Sequence, residues 1–355
     1  MVKGLNVESK VVPLEEIPTL QQIKQNLPSH CFKSDKMTSL YYFGRDMVSL
    51  IVLFGLTKFS YQSLSLMYFA ILFPILTFFQ GTIMWALFVV GHDCGHGSFS
   101  KSKQLNLIVG LIAHSVILVP FTPWRVTHRH HHKNTGHIDN DEVFLPVRQS
   151  RHKKGSMADW FASNAYLGGI GWFVYQFVGG ETNGKYGLFF WPGYYTEQFV
   201  EMLMSLGGVS IWLGALFVYW QSVGTVELFV EYVAPMFVFG SWLVLVTFMH
   251  HHEDEGVPWF AGDQWNYVRG NLSSVDRTFG PLLDELTHNI ATHQVHHLFP
   301  IIPHYHLVEA TKSFRKHYPT LVRRSHDSSI SAFVTQAKKF AEKRVIDDSV
   351  TTVIM

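Results

Sequence analysis

Two long apolar blocks, set apart by a more polar middle, dominate the chain. The first runs from about 47 to 90 and is interrupted near 58–62; the second runs from about 199 to 249 and is interrupted near 221–227. Each block has room for two helices of roughly 17–25 residues, the length a hydrocarbon core of about 30 Å requires. The pattern predicts two helical hairpins, with spans at about 43–59, 64–90, 199–220 and 226–249. The first span is the shortest and carries Lys58. Two further apolar stretches, 105–121 and 160–178, are too short or too interrupted to cross comfortably. They read as interfacial or re-entrant helices; as a fifth and sixth span they would leave the sidedness unchanged. The expected fold class is an all-α integral membrane protein, with four transmembrane helices as two hairpins and a cytosolic helical cap.

Composition strengthens the membrane reading. The 355 residues are 47% hydrophobic and 15% aromatic, and only 15% are charged, against about 25% in an ordinary soluble domain. Buried helix pairs in a soluble protein are the alternative, and the near absence of charge in the blocks argues against it. A net charge of +1 offers no basic stripe to a nucleic acid. Two cysteines, Cys31 and Cys94, are too few for a disulfide framework or a zinc ribbon. The first forty residues contain acids and lack the apolar run of a secretory leader, so a cytosolic N-terminal segment is expected. Of the Lys and Arg residues, 6 lie in 1–46, 10 in 91–200 and 11 in 250–355, with none in the short connections 59–63 and 221–225. The positive-inside rule then puts both termini and the middle segment in the cytosol. The expected organisation is an N-terminal segment (1–42), a membrane domain with its cap (43–324) and a C-terminal cytosolic tail (325–355).

Histidine is the outlier, at 21 residues. His92 and His96 follow the second predicted span, and His250, His251 and His252 follow the fourth. His128, His130, His131 and His132 lie in the middle segment, and His288, His293, His296 and His297 in the last one. All fall on the predicted cytosolic side. A helix turns about 100° per residue, so positions i, i+3 and i+4 share one face. His92 and His96 have i, i+4 spacing; His128, His131, His132 and His293, His296, His297 have i, i+3, i+4 spacing. His130 points away from its box. Three such boxes on one membrane face point to a polynuclear metal site. Imidazole suits Zn, Cu, Fe and Ni, and eight imidazoles exceed the four ligands a structural zinc needs, which implies two metals. An iron pair for O2 activation, a dizinc hydrolase and a histidine-rich metal carrier are the readings in play. The surrounding apolar surface favours a lipid-chain substrate.

The boxes HDCGHGSF, HRHHHKNTG and HQVHHLFPIIPHYHL, in that order between two hydrophobic hairpins, resemble the membrane fatty acid desaturases. The resemblance runs from Pro18 to Arg324 and is closest to the methyl-end branch, the omega-3 and delta-12 desaturases. His293 opens the third box where front-end desaturases typically carry Gln, and no HPGG haem signature is present. HDCGHGSFS looks more like the omega-3 enzymes. The resemblance implies a diiron centre held by His92, His96, His128, His131, His132, His293, His296 and His297. It implies a ninth ligand in TFMHHH, where His251 aligns between His250 and His252. The implied reaction is O2-dependent dehydrogenation, giving a cis double bond at the omega-3 position of C18–C20 omega-6 acyl chains. Delta-12 desaturation of oleoyl chains is the alternative, or hydroxylation on the same scaffold. Cytochrome b5 with its NADH-dependent reductase is the implied electron donor, with ferredoxin replacing it in another compartment. The implied substrate is a phospholipid or acyl-CoA, and the implied location the endoplasmic reticulum membrane, with the active site cytosolic.

Metal-bound imidazoles usually donate their second nitrogen to a carboxylate or carbonyl. Asp93, Asp139, Asp141, Glu142 and Asp276 are the carboxylates in reach by sequence. His288 would sit about 140° from His293 on a continuous helix, as a supporting group, or a ligand if the helix breaks. His114, His304 and His306 read as core histidines, and Cys94 as packing. Trp124, Phe121, Gly180 and Trp242 read as tunnel lining or as core. Lys312, Arg315 and Lys316 read as docking charges for an acidic donor, or as lipid-headgroup contacts.

Overall fold

The computed structural model describes residues 11–142, 144–164, 167–178, 189 and 198–355. In chain order its helices are α1 (Leu20–Gln25), α2 (Lys36–Ser63), α3 (Leu66–His96), α4 (Lys103–Ser115), α5 (Phe121–Asn134), α6 (Met157–Ser163), α7 (Gly169–Val178) and α8 (Phe199–Val223). They continue with α9 (Thr225–Leu228), α10 (Ala234–Met249), α11 (Tyr267–Asn271), α12 (Pro281–Leu286), α13 (His293–Leu298), α14 (His304–His317) and α15 (Ile330–Lys343). Among the described residues, four helices are long and apolar enough to cross a bilayer: α2, α3, α8 and the continuous run from Thr225 to Met249.

These four pair into the two predicted hairpins, with boundaries set by local chemistry rather than by hydropathy. Helix α2 begins at Lys36, ahead of the expected 43, because Asp35 caps it by accepting from the Thr38 N–H at 2.7 Å. Helix α3 runs through the first histidine box to His96, ending where Gly97 takes φ 78. Its 31 residues span about 46 Å at 1.5 Å each, well beyond a core of about 30 Å. The box therefore projects on the rigid end of a span and does not follow it as a loop. In the fourth span, a wide π turn at Phe229–Val233 precedes Pro235, which has no N–H for the Glu231 carbonyl four residues back. Gln80 of α3 donates to that carbonyl at 2.6 Å, tying the central helices together.

Helices α3 and α10 form the centre and pack closely: a Cβ on Gly81 would lie 2.5 Å from Val238 Cβ and 2.6 Å from the Pro235 carbonyl. Helices α2 and α8 flank them and turn Val48, Ile51, Val52, Leu56, Phe59, Ile211, Phe217 and Val218 outward, an apolar surface suited to lipid. Lys58 is satisfied near the hairpin turns, where its Nζ donates to Glu227 and to the Tyr219 hydroxyl, both at 2.8 Å. The desaturase-like expectation of an all-α membrane fold with four spans holds.

The cap departs from expectation at several points. The stretch 105–121 is not one helix: α4 ends at Ser115, and the chain turns through Leu118 (φ 55) before Phe121 starts α5. The stretch 160–178 is split between α6 and α7. Residues 325–355 are not a loose tail. Helix α15 buries Phe333, Ala337 and Phe340, with Phe333 and Phe340 against Phe248. Strand β3 (Val345–Ile346) pairs in parallel with β1 (Val147–Arg148), and β4 (Thr352–Ile354) antiparallel with β2 (Pro258–Phe260). The N-terminal segment is also docked: Ile23, Leu27 and Cys31 join a core with Leu307, Ala310 and Phe314 of α14.

Candidate metal centre

Four pieces of chain deliver histidines to one buried space. The last turn of α3 brings His92 and His96, α5 brings His128, His131 and His132, the end of α10 leads into His251, and α13 brings His293, His296 and His297. Two groups form. In one, a donor atom from each of His92, His96, His128, His132 and His296 lies within 4.8 Å of the others; in the second the same holds for His131, His251 and His297. Within the first, Nε2 atoms stand 3.1 Å apart for His92–His296 and His128–His132, and 3.2 Å for His92–His96. Within the second, His131 and His251 Nε2 are 3.2 Å apart, and His293 Nε2 joins at 2.9 Å from His297 Nε2.

The i, i+3, i+4 boxes thus straddle two sites. Positions i+3 and i+4 are about 100° apart around a helix. In α5 the i, i+4 pair His128/His132 faces the first group and His131 the second. In α13 the i, i+4 pair His293/His297 faces the second group and His296 the first.

The far sides of several of these rings meet other groups. Asp141 Oδ1 lies 2.5 Å from His131 Nδ1 and its other oxygen accepts from the Gly136 N–H at 2.9 Å. His297 Nδ1 lies 3.0 Å from Thr135 Oγ1 and 3.2 Å from Asn271 Oδ1, and His293 Nδ1 lies 3.3 Å from the Ile290 carbonyl. Asp93 Oδ1 is 3.6 Å from His92 Nδ1, while its Oδ2 accepts from the His304 N–H at 3.1 Å and lies 2.9 Å from His304 Nδ1. Asp276 touches no imidazole; it accepts from the Gln294 N–H at 2.8 Å and from Arg315 at 2.7 Å, anchoring the start of α13. Burial, and after it the neighbouring imidazoles, hold His128, His132, His251, His293 and His297 well below the ordinary histidine range. These rings are neutral at pH 7, the form that binds metal.

The fit to metal rests on lone pairs. Donation from Nδ1 of His293 to a carbonyl and of His297 to the Asn271 amide oxygen leaves both Nε2 atoms unprotonated. Two lone pairs then face each other at 2.9 Å, an arrangement a cation between them relieves. The donors are all imidazole: Cys94 packs with Val90, Phe99, Val109 and Phe121 instead.

A family model, fatty acid desaturase, matches residues 68–327. The chain belongs to the fatty acid desaturase family. It is 41% identical over 308 residues to the sn-1 acyl-lipid omega-3 desaturase (ferredoxin) of Synechocystis sp., covering 85% of this chain and 82% of that protein. It is 38% identical over 301 residues to the endoplasmic reticulum omega-3 fatty acid desaturase of Nicotiana tabacum, covering 83% and 76%. With the chloroplastic omega-3 fatty acid desaturase of Ricinus communis the identity is 39% over 302 residues, covering 83% and 63%. The chain is a fatty acid desaturase, an oxidoreductase that acts on a lipid chain.

Other expected residues of the desaturase lie elsewhere. Asp139 is bound by Arg148 through two bonds of 2.6 and 2.7 Å, because the chain leaves α5 at Gly136 (φ 71) and carries it off the helical face. Glu142 pairs at 2.5 Å with His130, the box histidine that points away. His288 is not on a helix with His293: the chain turns through left-handed His288 and Asn289 (φ 59 and 53), and His288 Nε2 meets Asp46 at 2.6 Å. His137 accepts from the Asp139 N–H. Of the three consecutive histidines after Met249, His250 and His252 turn Nδ1 to the carbonyls of Val275 (2.6 Å) and Phe248 (3.0 Å), leaving His251 against His131 and His297. Trp124 stacks on His128 at 4.6 Å. Phe121 is core, Trp242 donates to Thr82 at 2.9 Å, and Gly180 lies outside the described residues. Arg315 is engaged by Asp276, whereas Lys312 and Lys316 are exposed. Thr135 and Asn271 were not expected behind the rings, whereas His304, expected as a core histidine, is buried and holds Asp93. Thr135 and Asn271 are neutral groups rather than carboxylates, and Asn271 reaches His297 from a segment 26 residues away.

Proposed function

We propose that this desaturase inserts a cis double bond at the omega-3 position of C18–C20 omega-6 acyl chains, using a diiron centre and O2. The observation that carries this reading is the convergence of nine imidazoles in groups of five and four, among the described residues, beside an apolar core. His92, His96, His128, His132 and His296 would hold one iron, and His131, His251, His293 and His297 the other. An all-imidazole set suits iron, and two irons there would supply the O2 activation needed to take hydrogen from an unactivated methylene. The chain's own residues do the rest. Asp141, Thr135, Asn271 and Asp93 orient the rings. Trp124, Phe88 and the α3–α10 core keep water away, and that core sets which C–C bond reaches the centre. The regiochemistry is supported by the omega-3 names of the relatives.

Cytochrome b5 with its NADH-dependent reductase is the proposed donor, and the endoplasmic reticulum membrane, with cap and termini cytosolic, the proposed location. The ferredoxin in the name of the Synechocystis relative supports a second donor reading. The test is expression in yeast fed separately with oleic, linoleic and arachidonic acids, followed by gas chromatography. New omega-3 bonds on linoleic or arachidonic acid are expected. Linoleate formed from oleate alone would reassign the enzyme to delta-12, and hydroxylated product to hydroxylase chemistry. Folded, iron-loaded, reduced protein that makes no new double bond would overturn the proposal. Activity that survives loss of cytochrome b5 and needs ferredoxin would move the donor and the compartment.

A further inference from the structure

A second group of donors lies away from the histidine boxes, where the N-terminal segment docks on α14. His30 and Cys31 come from a short 3-10 turn, Ser29–Phe32; His306 and Glu309 have i, i+3 spacing on α14 and so share a face. One donor atom from each of the four lies within 4.8 Å of the other three. His30 Nε2 is the hub, 2.9 Å from Glu309 Oε2 and 3.8 Å from Cys31 Sγ. The rings of His30 and His306 meet edge to face at 5.5 Å.

We propose that His30, Cys31, His306 and Glu309 form a zinc site that fastens the N-terminal segment to α14. The donor set is one thiolate, two imidazoles and one carboxylate, four groups of the types zinc takes. Zinc bonds of 2.0–2.3 Å place tetrahedral ligand atoms about 3.3–3.8 Å apart, within the spread seen between these atoms. The site is shaped for entry: Cys31 is wholly buried at its floor, while the His30 and Glu309 side chains are 55% and 54% exposed at its mouth. The rivals are a reactive cysteine and a packing one. A reactive cysteine stands partly open to solvent, whereas Cys31 is wholly buried. Packing alone asks for no imidazoles or carboxylate above the sulfur. Helix α14 opens with His304, which holds Asp93 behind His92, so the fastening steadies the frame of the main centre without touching it.

The test uses the full chain in detergent. Adding Co2+ to protein stripped of zinc should produce thiolate-to-cobalt absorption, which the all-imidazole centre has no sulfur to give. The absorption should vanish in Cys31→Ser, and the Co2+ dissociation constant should rise at least tenfold in His306→Ala and Glu309→Gln. Protein purified without chelator should carry one zinc per chain more than Cys31→Ser. The two α14 variants keep the thiol, so they decide the matter if Cys31→Ser fails to fold. No thiolate band in the parent protein, or a band of unchanged affinity in both α14 variants, would overturn the site.

Discussion

His130 and His131 are neighbours with opposite surroundings. His131 Nε2 faces His251 and its Nδ1 meets Asp141, while His130 turns outward to Glu142. His131→Ala should cut desaturation at least a hundredfold and lower bound iron, read by product analysis and metal content. His130→Ala should keep most activity, while losing its ion pair with the buried Glu142 at a stability cost of about 1–3 kcal/mol. Equal loss in both would contradict the division of faces. Two buried histidines outside the centre make stability depend on pH. Burial holds His114 down at about 3 and His288 at about 4. In the unfolded chain both titrate near 6.5. Above pH 6.5 both states are neutral and stability is full. Between about 6.5 and 4 only the unfolded chain takes the protons, so stability falls with pH by about 1.4 kcal/mol per unit for each such group. The thermal midpoint should drop from pH 7 to 5. His288→Gln, which can still donate to Asp46, should show a shallower drop; an unchanged slope would rule out this origin.

At the scale of elements, the two centres depend on how closely α3 and α10 approach, because α3 carries His92 and His96 and α10 delivers His251. Gly81 permits that contact. Gly81→Ala should push the helices apart at a cost of about 1–3 kcal/mol. The expected readouts are a lower thermal midpoint and reduced iron content, although position 81 is eleven residues from the nearest box. Unaltered iron binding and midpoint would show that the contact has slack. Elements also explain where the sequence could be read. The four spans were legible because hydropathy is a sum over many residues. Their ends were less so, since Asp35 and Gly97 act through a single hydrogen bond and a single dihedral. The HxxHH boxes were legible as faces. Their partition between two sites was not, because each box straddles a boundary that only the opposing helix defines.

For the molecule as a whole, residues 325–355 are part of the folded body. Helix α15 and strands β3 and β4 cover Phe248, His252 and the strand Pro258–Phe260. Arg344, almost fully buried, pairs with Asp159. Truncation after Arg324 should therefore abolish monodisperse, active enzyme, checked by gel filtration in detergent and by product formation in yeast. A truncated protein with full activity would restore the reading of 325–355 as a tail.

By itself the sequence determined the membrane class, the four spans, the three boxes and the resemblance to desaturases, because each depends on local composition or on spacing along one helix. Tertiary structure alone decided which imidazoles share a group, that Asp141 and Asp93 stand behind rings of the centre while Asp139 and Glu142 do not, and that Thr135 and Asn271 meet His297. It also brought His30 and Cys31 to His306 and Glu309, 279 residues apart at the widest. Such pairings depend on turns such as Gly136 and His288–Asn289, whose left-handed geometry redirects the chain, and on packing between segments that no periodicity links.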